Sequence, residues 1–389
     1  MKIGSSQTDS ADLDSLDLKS GKETTLLSAP QLPYQFPVAF CLHSNDRIIY
    51  SRDERAPSPK GSNLWELWVN PHSQLAGTPR KITHWSGATV WGVSASADGR
   101  RLAVLKTNIQ SDVYIGQLEA NGTRLKTPRR LTLDERNDIP GPWMPDSKSV
   151  LFSSDRNGAC DIFKQAIDQP SAEPLVTGPE DKLAKGVTPD GEWLLYTAQK
   201  QGEPVKLMRI PMSGGQPELV FNGGVDFLDF NCAKRPPSTH CVVVRRDRKW
   251  TVYSAYDLAT RQTRDLAKVE HAADWDFFLD GSRLAVLIND QGKSRIRIVR
   301  FSGETEREFT VGRSGIQNVW STADGKGVYL GALQPGLSTV LYADLQGRTH
   351  VLWQQKGDFG YYLYPSPDGR YLSLTGMTAT SDAWLLENF

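Results

Sequence analysis

The chain has 389 residues, of which 39% are hydrophobic, and its 45 Lys and Arg residues balance its 45 Asp and Glu residues. A formal charge of zero provides no global field that would favour an anionic polymer, so we expect no nucleic-acid partner. No apolar run approaches the roughly 18–20 residues that span a bilayer, and we predict no membrane span.

The N-terminal residues 1–22 are polar and acidic and lack the apolar core of a signal peptide. Within them, residues 13–18 have the pattern of a strand and residues 19–22 that of a turn. Two interpretations remain open for this segment. It is either a polar extension or the remnant of one further repeat of a longer protein.

Residues 23–389 carry a turn motif, Ser/Thr-x-Asp-Gly, that precedes an apolar strand-like run and returns at nearly constant spacing. The turn aspartates are at positions 46, 98, 146, 190, 280, 324 and 368. The gaps are 52, 48, 44, 90, 44 and 44 residues, and 90 is twice 45, so one copy near position 235 has lost its Asp. A period of about 45 residues built from strands is typical of a β-propeller.

The segment 181–221 contains the elements of one blade in order. Strands a, b, c and d are predicted over residues 183–187, 193–198, 205–210 and 217–221. Pro189-Asp190-Gly191 forms the a–b turn, because Pro presets φ, Asp bonds the backbone ahead and Gly accepts positive φ. The segment therefore predicts one four-stranded antiparallel blade.

The same order predicts eight a–b hairpins, which start near residues 38, 90, 141, 183, 225, 273, 317 and 361. The predicted fold class is all-β, a single propeller of four-stranded antiparallel blades over residues 23–389. We predict eight blades, and seven blades plus a stray element is the alternative. The last blade provides strands a to c, and residues 23–27 are predicted to add its strand d. Closure by N- and C-terminal strands would hide the edges of the sheet.

Cys232 and Cys241 flank the a–b loop of the degenerate fifth blade, which contains two prolines and no Asp-Gly. Facing ends of a hairpin can meet the roughly 4.4–6.8 Å Cα separation that a disulfide needs. We predict a disulfide, which would indicate an oxidising compartment. Two buried free thiols are the alternative. Cys41 and Cys160 are predicted to be unpaired.

The face that bears the d–a and b–c loops is the predicted binding surface, because its loops are rich in polar and aromatic groups. The candidate binding residues on this face and at the channel mouth are Trp91, Asp138, Trp143, Arg156, Trp275, Arg313, Asn318, Trp320 and Tyr361. Four of them are tryptophans on inner strands, and packing between blades is the alternative for these.

The sequence contains no Gly-x-Ser-x-Gly elbow, no phosphate-binding loop and no kinase catalytic motif. Its six histidines are scattered and have no zinc-site spacing to cysteine. His84 and His271 fall on predicted d–a loops, where an ordinary loop position is the alternative to a function. We predict no catalytic residue, no metal site and no cofactor.

Two segments, Ser154-Asp155-Arg156-Asn157-Gly158 before 161–163 and Ser366-Pro367-Asp368-Gly369, carry a resemblance to a known family. Residues 35–389 resemble the TolB-type, WD-like propeller repeats that also form the non-catalytic propeller of dipeptidyl peptidase IV-type enzymes. The paired cysteines, the run 341–357 and the ending 381–389 resemble the C-terminal sensor region of acidobacterial membrane proteins. There a transmembrane helix and a serine/threonine kinase or winged-helix domain precede the propeller. This chain contains none of those segments, nor a peptidase domain, so their functions are not carried over.

Three functional hypotheses follow. The first is a non-enzymatic, monomeric propeller that binds a protein or small molecule, as the extracytoplasmic sensor domain of a bacterial signalling protein. Its location would be periplasmic or extracellular within a membrane protein, and cytoplasmic if the chain is complete as written. The second is a TolB-like envelope scaffold, and the third is a hydrolase or lyase at the channel mouth. Histidines and carboxylates with shifted pKa values would favour the enzyme, and an apolar, aromatic mouth would favour binding.

Overall fold

The computed structural model describes residues 3–5, 11–27, 40–42, 46–54, 61–70, 75–119, 122–200, 203–224, 226–387 and 389. Within these residues the chain is all-β and contains 33 strands. In this part of the chain, no helix has the length and apolar character that crossing a membrane requires.

The strand bounds follow in chain order. Up to residue 130 they are β1 (Ile3–Ser5), β2 (Ala11–Leu16), β3 (Glu23–Leu27), β4 (Phe40–Leu42), β5 (Arg47–Glu54), β6 (Gly61–Trp68), β7 (Arg80–Lys81), β8 (Thr89–Ala95), β9 (Arg101–Glu119), β10 (Arg124–Leu125) and β11 (Arg129–Arg130). From there to residue 270 they are β12 (Asp138–Trp143), β13 (Ser149–Asn157), β14 (Ala159–Ala166), β15 (Glu173–Val176), β16 (Asp181–Val187), β17 (Trp193–Gln199), β18 (Lys206–Pro211), β19 (Glu218–Asn222), β20 (Phe227–Cys232), β21 (Cys241–Asp247), β22 (Trp250–Tyr256) and β23 (Thr263–Glu270). The last ten are β24 (Ala272–Phe277), β25 (Arg283–Asp290), β26 (Lys293–Arg300), β27 (Thr305–Val311), β28 (Ile316–Ser321), β29 (Gly327–Gln334), β30 (Leu337–Asp344), β31 (Thr349–Lys356), β32 (Asp358–Pro365) and β33 (Tyr371–Glu387).

The recurrent turn motif has a local physical cause, which the copy at 188–191 illustrates. The Asp190 carboxylate accepts hydrogen bonds from the Thr188 hydroxyl at 2.5 Å and from the Glu192 backbone N–H at 2.9 Å. Gly191 adopts a φ of 75°, a left-handed conformation that favours glycine. The motif therefore fixes the hairpin between the first and second strands of a sheet.

The chain divides into two units, residues 1–109 with 378–389 and residues 110–377, and the long strands β9 and β33 each cross a unit boundary. The first unit contains the three-stranded sheet β1–β3, the four-stranded sheet β4–β7, and β8 with the adjoining parts of β9 and β33. Its core is formed by Leu27, Tyr50 and Leu67 in one cluster and by Ile49 and Val104 in another.

The second unit contains six sheets. Five are four-stranded, namely β12–β15, β16–β19, β20–β23, β24–β27 and β28–β31. In the sixth, β32 pairs with residues 372–377 of β33, which lies next to β9, and β9 pairs with β10 and β11. The first strands contact one another in the cyclic order β12, β16, β20, β24, β28, β32 and again β12. The second unit is therefore a closed ring of sheets, a β-propeller.

All eight predicted a–b hairpins are present as antiparallel pairs, two of them in the first unit and six in the second. The β-propeller fold class is confirmed. The count of eight blades within one ring is not confirmed, and neither is the boundary of a single propeller at residues 23–389.

The predicted closing strand is wrong. Residues 23–27 do not complete the last blade but pair with β2, at Leu13↔Leu27 and Leu16↔Glu23. The last hairpin lies instead beside the second half of β9, where the Leu118 N–H donates to the Arg370 carbonyl at 2.8 Å. Residues 106–112 contain neither Gly nor Pro that would interrupt a strand, and β9 extends over 19 residues.

The apolar cores of the second unit lie between neighbouring sheets. Val244 of β21 packs with Val286 of β25, for example, and Ile298 of β26 packs with Leu330 of β29. Because each sheet is buried on both sides, the inner strands are held at fixed distances from one another. This packing positions the polar groups of the inner strands.

Candidate functional site

The turns between the first and second strands all lie at one end of the ring in the second unit, which we call the turn end. Several of these turns are bonded to the turn of another sheet. The Lys234 N–H donates to the Leu279 carbonyl at 2.9 Å, and the Asp368 N–H donates to the Ser147 hydroxyl at 3.1 Å. The turn end is therefore a connected, well-ordered surface.

The loop 233–240 covers the turn end. A disulfide joins Cys232 and Cys241 at its base, with Cα atoms 3.9 Å apart, closer than the range expected from the sequence. The Arg235 guanidinium donates to the Pro367 carbonyl, although their sheets are three positions apart in the ring of six. The loop therefore reaches to the opposite side of the ring. A narrow space that remains beneath it is lined by Pro142, Trp143, Pro145, Val187, Lys234, Tyr364, Pro365 and Pro367.

His240 anchors the end of this loop to the next sheet. Its ring stacks on Phe301 with centroids 3.8 Å apart and an interplanar angle of 8°. Its Nδ1 lies 3.0 Å from the Gly281 carbonyl oxygen. The loop is thus held at its base by the disulfide, at its middle by Arg235 and at its end by His240.

The inner strands carry carboxylates that link neighbouring sheets. Asp229 of β20 accepts a hydrogen bond from Lys185 Nζ of β16 at 2.7 Å and another from Trp275 Nε1 of β24 at 3.1 Å. One carboxylate therefore joins three consecutive sheets.

Two further carboxylates satisfy the open edge of β28, which pairs only with β29 among the described strands. Asp274 accepts the Val319 N–H at 2.8 Å. Asp276 accepts both the N–H and the hydroxyl of Ser321, each at 2.7 Å. Free backbone N–H groups at a sheet edge require such acceptors, so these carboxylates have a structural use.

Burial shifts the acid–base properties of these groups. It raises the pKa of Asp274 to about 7, against the opposing effect of the Val319 N–H. Burial also raises the pKa of the Tyr253 hydroxyl, and the charges of Asp274 and Asp229 raise it further. Asp274 is therefore a group that changes charge near neutral pH. Among the described residues, no group of three or more His, Cys, Asp or Glu side chains suits a metal ion.

The opposite end of the ring, which we call the loop end, bears the b–c and d–a loops. Arg156 contacts Asp138 at 3.2 Å and Asp134 at 2.8 Å, and it lies over the ring of Phe163 at 4.3 Å. Burial raises the pKa of Asp138 to about 6. Asp138 is completely buried, so this ion pair ties the b–c turn to the inner strand.

Comparisons with known proteins agree with this architecture. Residues 74–229 match the family model PD40, the TolB beta propeller domain. This segment is therefore similar to TolB-type β-propeller repeats.

A curated relative, the Tol-Pal system protein TolB of Helicobacter hepaticus, is 30% identical over 113 residues, which are 29% of this chain and 25% of that protein. The matched segment thus spans a quarter of the relative's length. Two solved structures are similar in fold. A structure from Agrobacterium tumefaciens assigned as TolB has a TM-score of 0.54 and 17% identity, covering 70% of this chain and 99% of that one. TolB from Acinetobacter baumannii has a TM-score of 0.50 and 12% identity, covering 87% of this chain and 82% of that one.

The described candidate binding residues of the second unit are spread over several sheets. Trp143 and Trp320 are 5% and 6% exposed and lie in cores between sheets. Trp143 donates from Nε1 to the Tyr364 carbonyl at 2.8 Å and stacks on Tyr371. For these two tryptophans the geometry favours the packing interpretation, because their faces are covered by neighbouring sheets.

The remaining predicted residues are dispersed. Trp275 joins Asp229 on the inner strands, as described above. Arg313 donates to the Thr339 hydroxyl at 3.2 Å, whereas the buried Asn318 Oδ1 has no hydrogen-bond partner among the described residues. Trp91 lies on β8 in the first unit. The side chain of Tyr361, like those of His43, His72 and Cys41, lies outside the described residues.

Sequence reasoning missed the inner-strand carboxylates. Asp274-Trp275-Asp276 was a usable signal, because two acidic residues within a predicted inner strand need partners. The buried ion pair of Lys182 with Asp161, at 3.0 Å, carried no comparable signal. Its residues are 21 positions apart and belong to different sheets.

Proposed function

We propose that this chain is a protein-binding β-propeller and that its partner approaches the loop end of the second unit. The observation that carries the proposal is the disulfide-closed loop 233–240, whose Arg235 bonds to Pro367 and covers the turn end. The TolB-type repeats support a scaffold role, and the relative from Helicobacter hepaticus is named as a Tol-Pal system protein.

The charges at the loop end suit a protein partner. Lys249 and Glu270 are paired at 3.1 Å, and the His271 ring lies 3.7 Å from Glu270 and 4.0 Å from Asp290. Lys249 and the carboxylates of Glu270 and Asp290 place both signs of charge there, and a protein surface with both signs of charge complements such a pattern. A polyanion would find no extended basic surface in this cluster.

The inner-strand carboxylates favour binding over catalysis. Asp276 and Asp229 each accept two hydrogen bonds from neighbouring sheets, so their oxygens are engaged in holding the ring. Asp274 has a pKa near neutrality, as the enzyme hypothesis requires, but among the described residues the side chains that bond to these carboxylates include no histidine. A hydrolase or lyase remains the alternative, and loss of any catalytic turnover in Asp274→Asn with unchanged folding would favour it.

The location that we propose is the extracytoplasmic side of a bacterial cell, as part of a sensor or an envelope scaffold. The disulfide between Cys232 and Cys241 supports it, because such bonds persist in oxidising compartments. Thiol alkylation in intact cells tests the location, and modification of both cysteines without prior reduction would contradict it.

The mass of the native polypeptide separates the sensor role from the scaffold role. A band near 43.2 kDa would favour the scaffold, and a much larger membrane-associated band the sensor.

The binding end can be tested by photo-crosslinking in the native cells. A photoreactive residue would replace Lys249 or Gln291 at the loop end, and the matched controls would replace Glu192 or Lys326 at the turn end. All four positions are exposed. We expect protein adducts from the loop-end positions alone. Adducts from the turn end alone would contradict the proposed orientation, and no adduct from any position would contradict protein binding.

A further inference from the structure

A groove of 410 Å³ lies in the second unit, on the outside of the ring and away from both ends of the inner strands. It forms where the outer strand β19 meets the face of the next sheet, β20–β23. Its lining comprises Leu219, Val220, Phe221, Asn222, Val243, Arg245, Tyr256, Arg261 and Thr263. The groove is thus built from two consecutive TolB-type blades.

The floor of the groove is apolar and already ordered. Phe221 lies 5.9 Å from Tyr256 between ring centroids and 5.4 Å from Phe227 in an edge-to-face arrangement. Leu219 is 44% exposed, an unusual position for a leucine next to an apolar pocket. Covering this surface would remove apolar area from water, which favours association.

One wall of the groove is a sheet edge. β19 is the last strand of its sheet and pairs only with β18 among the described strands. Its other edge therefore presents backbone N–H and C=O groups that an added strand can pair with. An extended peptide that joins such an edge places alternate side chains into the adjoining pockets.

The other wall is positively charged. Arg245 and Arg261 line the groove, and its lining contains no carboxylate. The Arg245 guanidinium lies 3.8 Å from Asp265, which is 51% exposed, and it donates to the Ser254 hydroxyl at 3.5 Å. The Arg261 guanidinium forms no ion pair with any described residue. Arg261 therefore offers donors to an anionic group in the groove, and Arg245 adds a second positive charge beside it.

We propose that this groove binds an extended segment of a partner protein, in which an apolar side chain is flanked by a carboxylate. The segment would pair with the free edge of β19, place its apolar side chain against Leu219 and Phe221, and present its carboxylate to Arg245 and Arg261. This inference rests on the proposed protein-binding function and adds a second contact surface to it.

The test selects displayed random octapeptides on the full chain and compares variants. Leu219→Asp places a charge in the groove, and Val351→Asp is the matched control, because Val351 is 46% exposed on the outer strand β31 of another sheet. We expect the recovered peptides to be acidic and to bind Leu219→Asp about ten-fold or more weakly, a loss of about 1.4 kcal/mol, with Val351→Asp unchanged. Equal binding to both variants, or no enrichment of acidic peptides, would overturn the proposal.

A second variant and a second measurement keep the test decisive if Leu219→Asp folds poorly. Arg261→Glu should reverse the charge preference of the peptides, and a bound peptide should slow amide hydrogen exchange at residues 218–222. Unchanged preference, or no protection of β19, would overturn the proposal. So would a wild-type dimer that Leu219→Asp converts to monomer, because the occupant would then be a second copy. A fatty acid that displaces the peptides and binds the groove more tightly than they do would also overturn the proposal.

Crosslinking separates this inference from the function on which it rests. A photoreactive residue at the exposed Thr263 should give a protein adduct that Leu219→Asp removes and Val351→Asp retains. Adducts from Lys249 or Gln291 but none from Thr263 would leave protein binding in place and reject the groove. An absence of adducts at all three positions would reject both.

Discussion

Single carboxylates decide how the inner strands of the second unit are held together. Asp229, Asp274 and Asp276 each accept hydrogen bonds from a neighbouring sheet, and Asp276 is 4% exposed. A buried donor that loses its acceptor incurs the full cost of its desolvation. Substitution of one of these residues therefore tests how much a single hydrogen-bond acceptor between sheets contributes to stability.

We expect Asp276→Ala to lower the free energy of unfolding by about 1–3 kcal/mol, because the N–H and hydroxyl of Ser321 lose their acceptor. Urea unfolding measures the change. Asp280→Ala is the control, since Asp280 is exposed and bonds only within its own turn, to Ser282. Equal destabilisation by the two substitutions would show that the hydrogen bonds between sheets contribute no more to the free energy of unfolding than those within the Asp280 turn.

Asp274 should make stability depend on pH. Burial raises its pKa from 3.8 to about 7 in the folded chain. The folded state therefore holds its proton more tightly than the unfolded state does. The stability that this group contributes is full below pH 3.8 and is lost as the pH rises through about 7.

We expect Asp274→Asn to flatten the pH dependence of unfolding between about pH 4 and 7, because asparagine does not titrate. Urea unfolding at a series of pH values measures it. Asp138, whose pKa is raised to about 6, makes the free energy of unfolding depend on pH in a similar way, and the variant retains this dependence. An identical pH profile in the variant and the wild type would contradict the assignment.

The loop 233–240 is the element that distinguishes one blade of the second unit from the others. Its disulfide closes a short loop, with the two cysteines nine positions apart in sequence. Cross-links of this size stabilise the folded state mainly by restricting the unfolded chain. Arg235 and His240 then fix where the loop lies.

We expect replacement of both cysteines, Cys232→Ser with Cys241→Ser, to lower the free energy of unfolding by about 2–3 kcal/mol. Thermal and urea unfolding under non-reducing conditions measure the loss. Cys160→Ser is the control, because Cys160 is partly exposed and takes no part in this disulfide. A double variant as stable as Cys160→Ser would mean that the contacts of the loop suffice without the cross-link.

A turn glycine tests the contact between this loop and the next sheet. Gly281 has a φ of 70°, and a Cβ there would lie 2.8 Å from the Ala233 Cβ and would also clash with Ser238. Gly292 has a similar φ of 76° but open space around it. We expect Gly281→Ala to destabilise the protein by about 1 kcal/mol or more beyond Gly292→Ala, measured by urea unfolding. Equal losses of unfolding free energy in the two variants would show that the loop moves to accommodate the added Cβ without destabilising the protein.

At the scale of the whole molecule, ring closure distinguishes the second unit. Its sixth sheet combines β32 and the first part of β33 with the second half of β9, so that strands far apart in sequence complete the ring. In a closed ring each sheet packs both of its faces against neighbouring sheets, whereas an open array would expose the faces of its two end sheets.

We expect a fragment of residues 110–377 to fold by itself, because it contains all six sheets and the closing strand. A fragment of residues 120–377 lacks that strand and should expose an edge of β33, so it should melt at lower temperature and self-associate. Circular dichroism melts and sedimentation measure both. Equal stability of the two fragments would contradict closure by β9.

Much of the local structure could be predicted from the sequence, and the candidate site much less. The hairpins at residues 183–198 and 273–290 follow from turn chemistry and strand patterning, which act over a few residues. The partners of Asp276, Arg235 and Arg156 lie on other sheets or loops, at separations that no short pattern encodes. Only Cys232 and Cys241, which face each other across one hairpin, were predictable as a pair.

The sequence by itself determined the repeat, the hairpins, the all-β class and the resemblance to TolB-type repeats, because turn geometry and strand periodicity are local properties. Tertiary structure alone decided which strand closes the ring, that the loop 233–240 covers one end, and that an apolar groove with two arginines opens beside β19. These features depend on contacts between blades. Such contacts arise from packing and register over long sequence separations, where the same local pattern allows several partners.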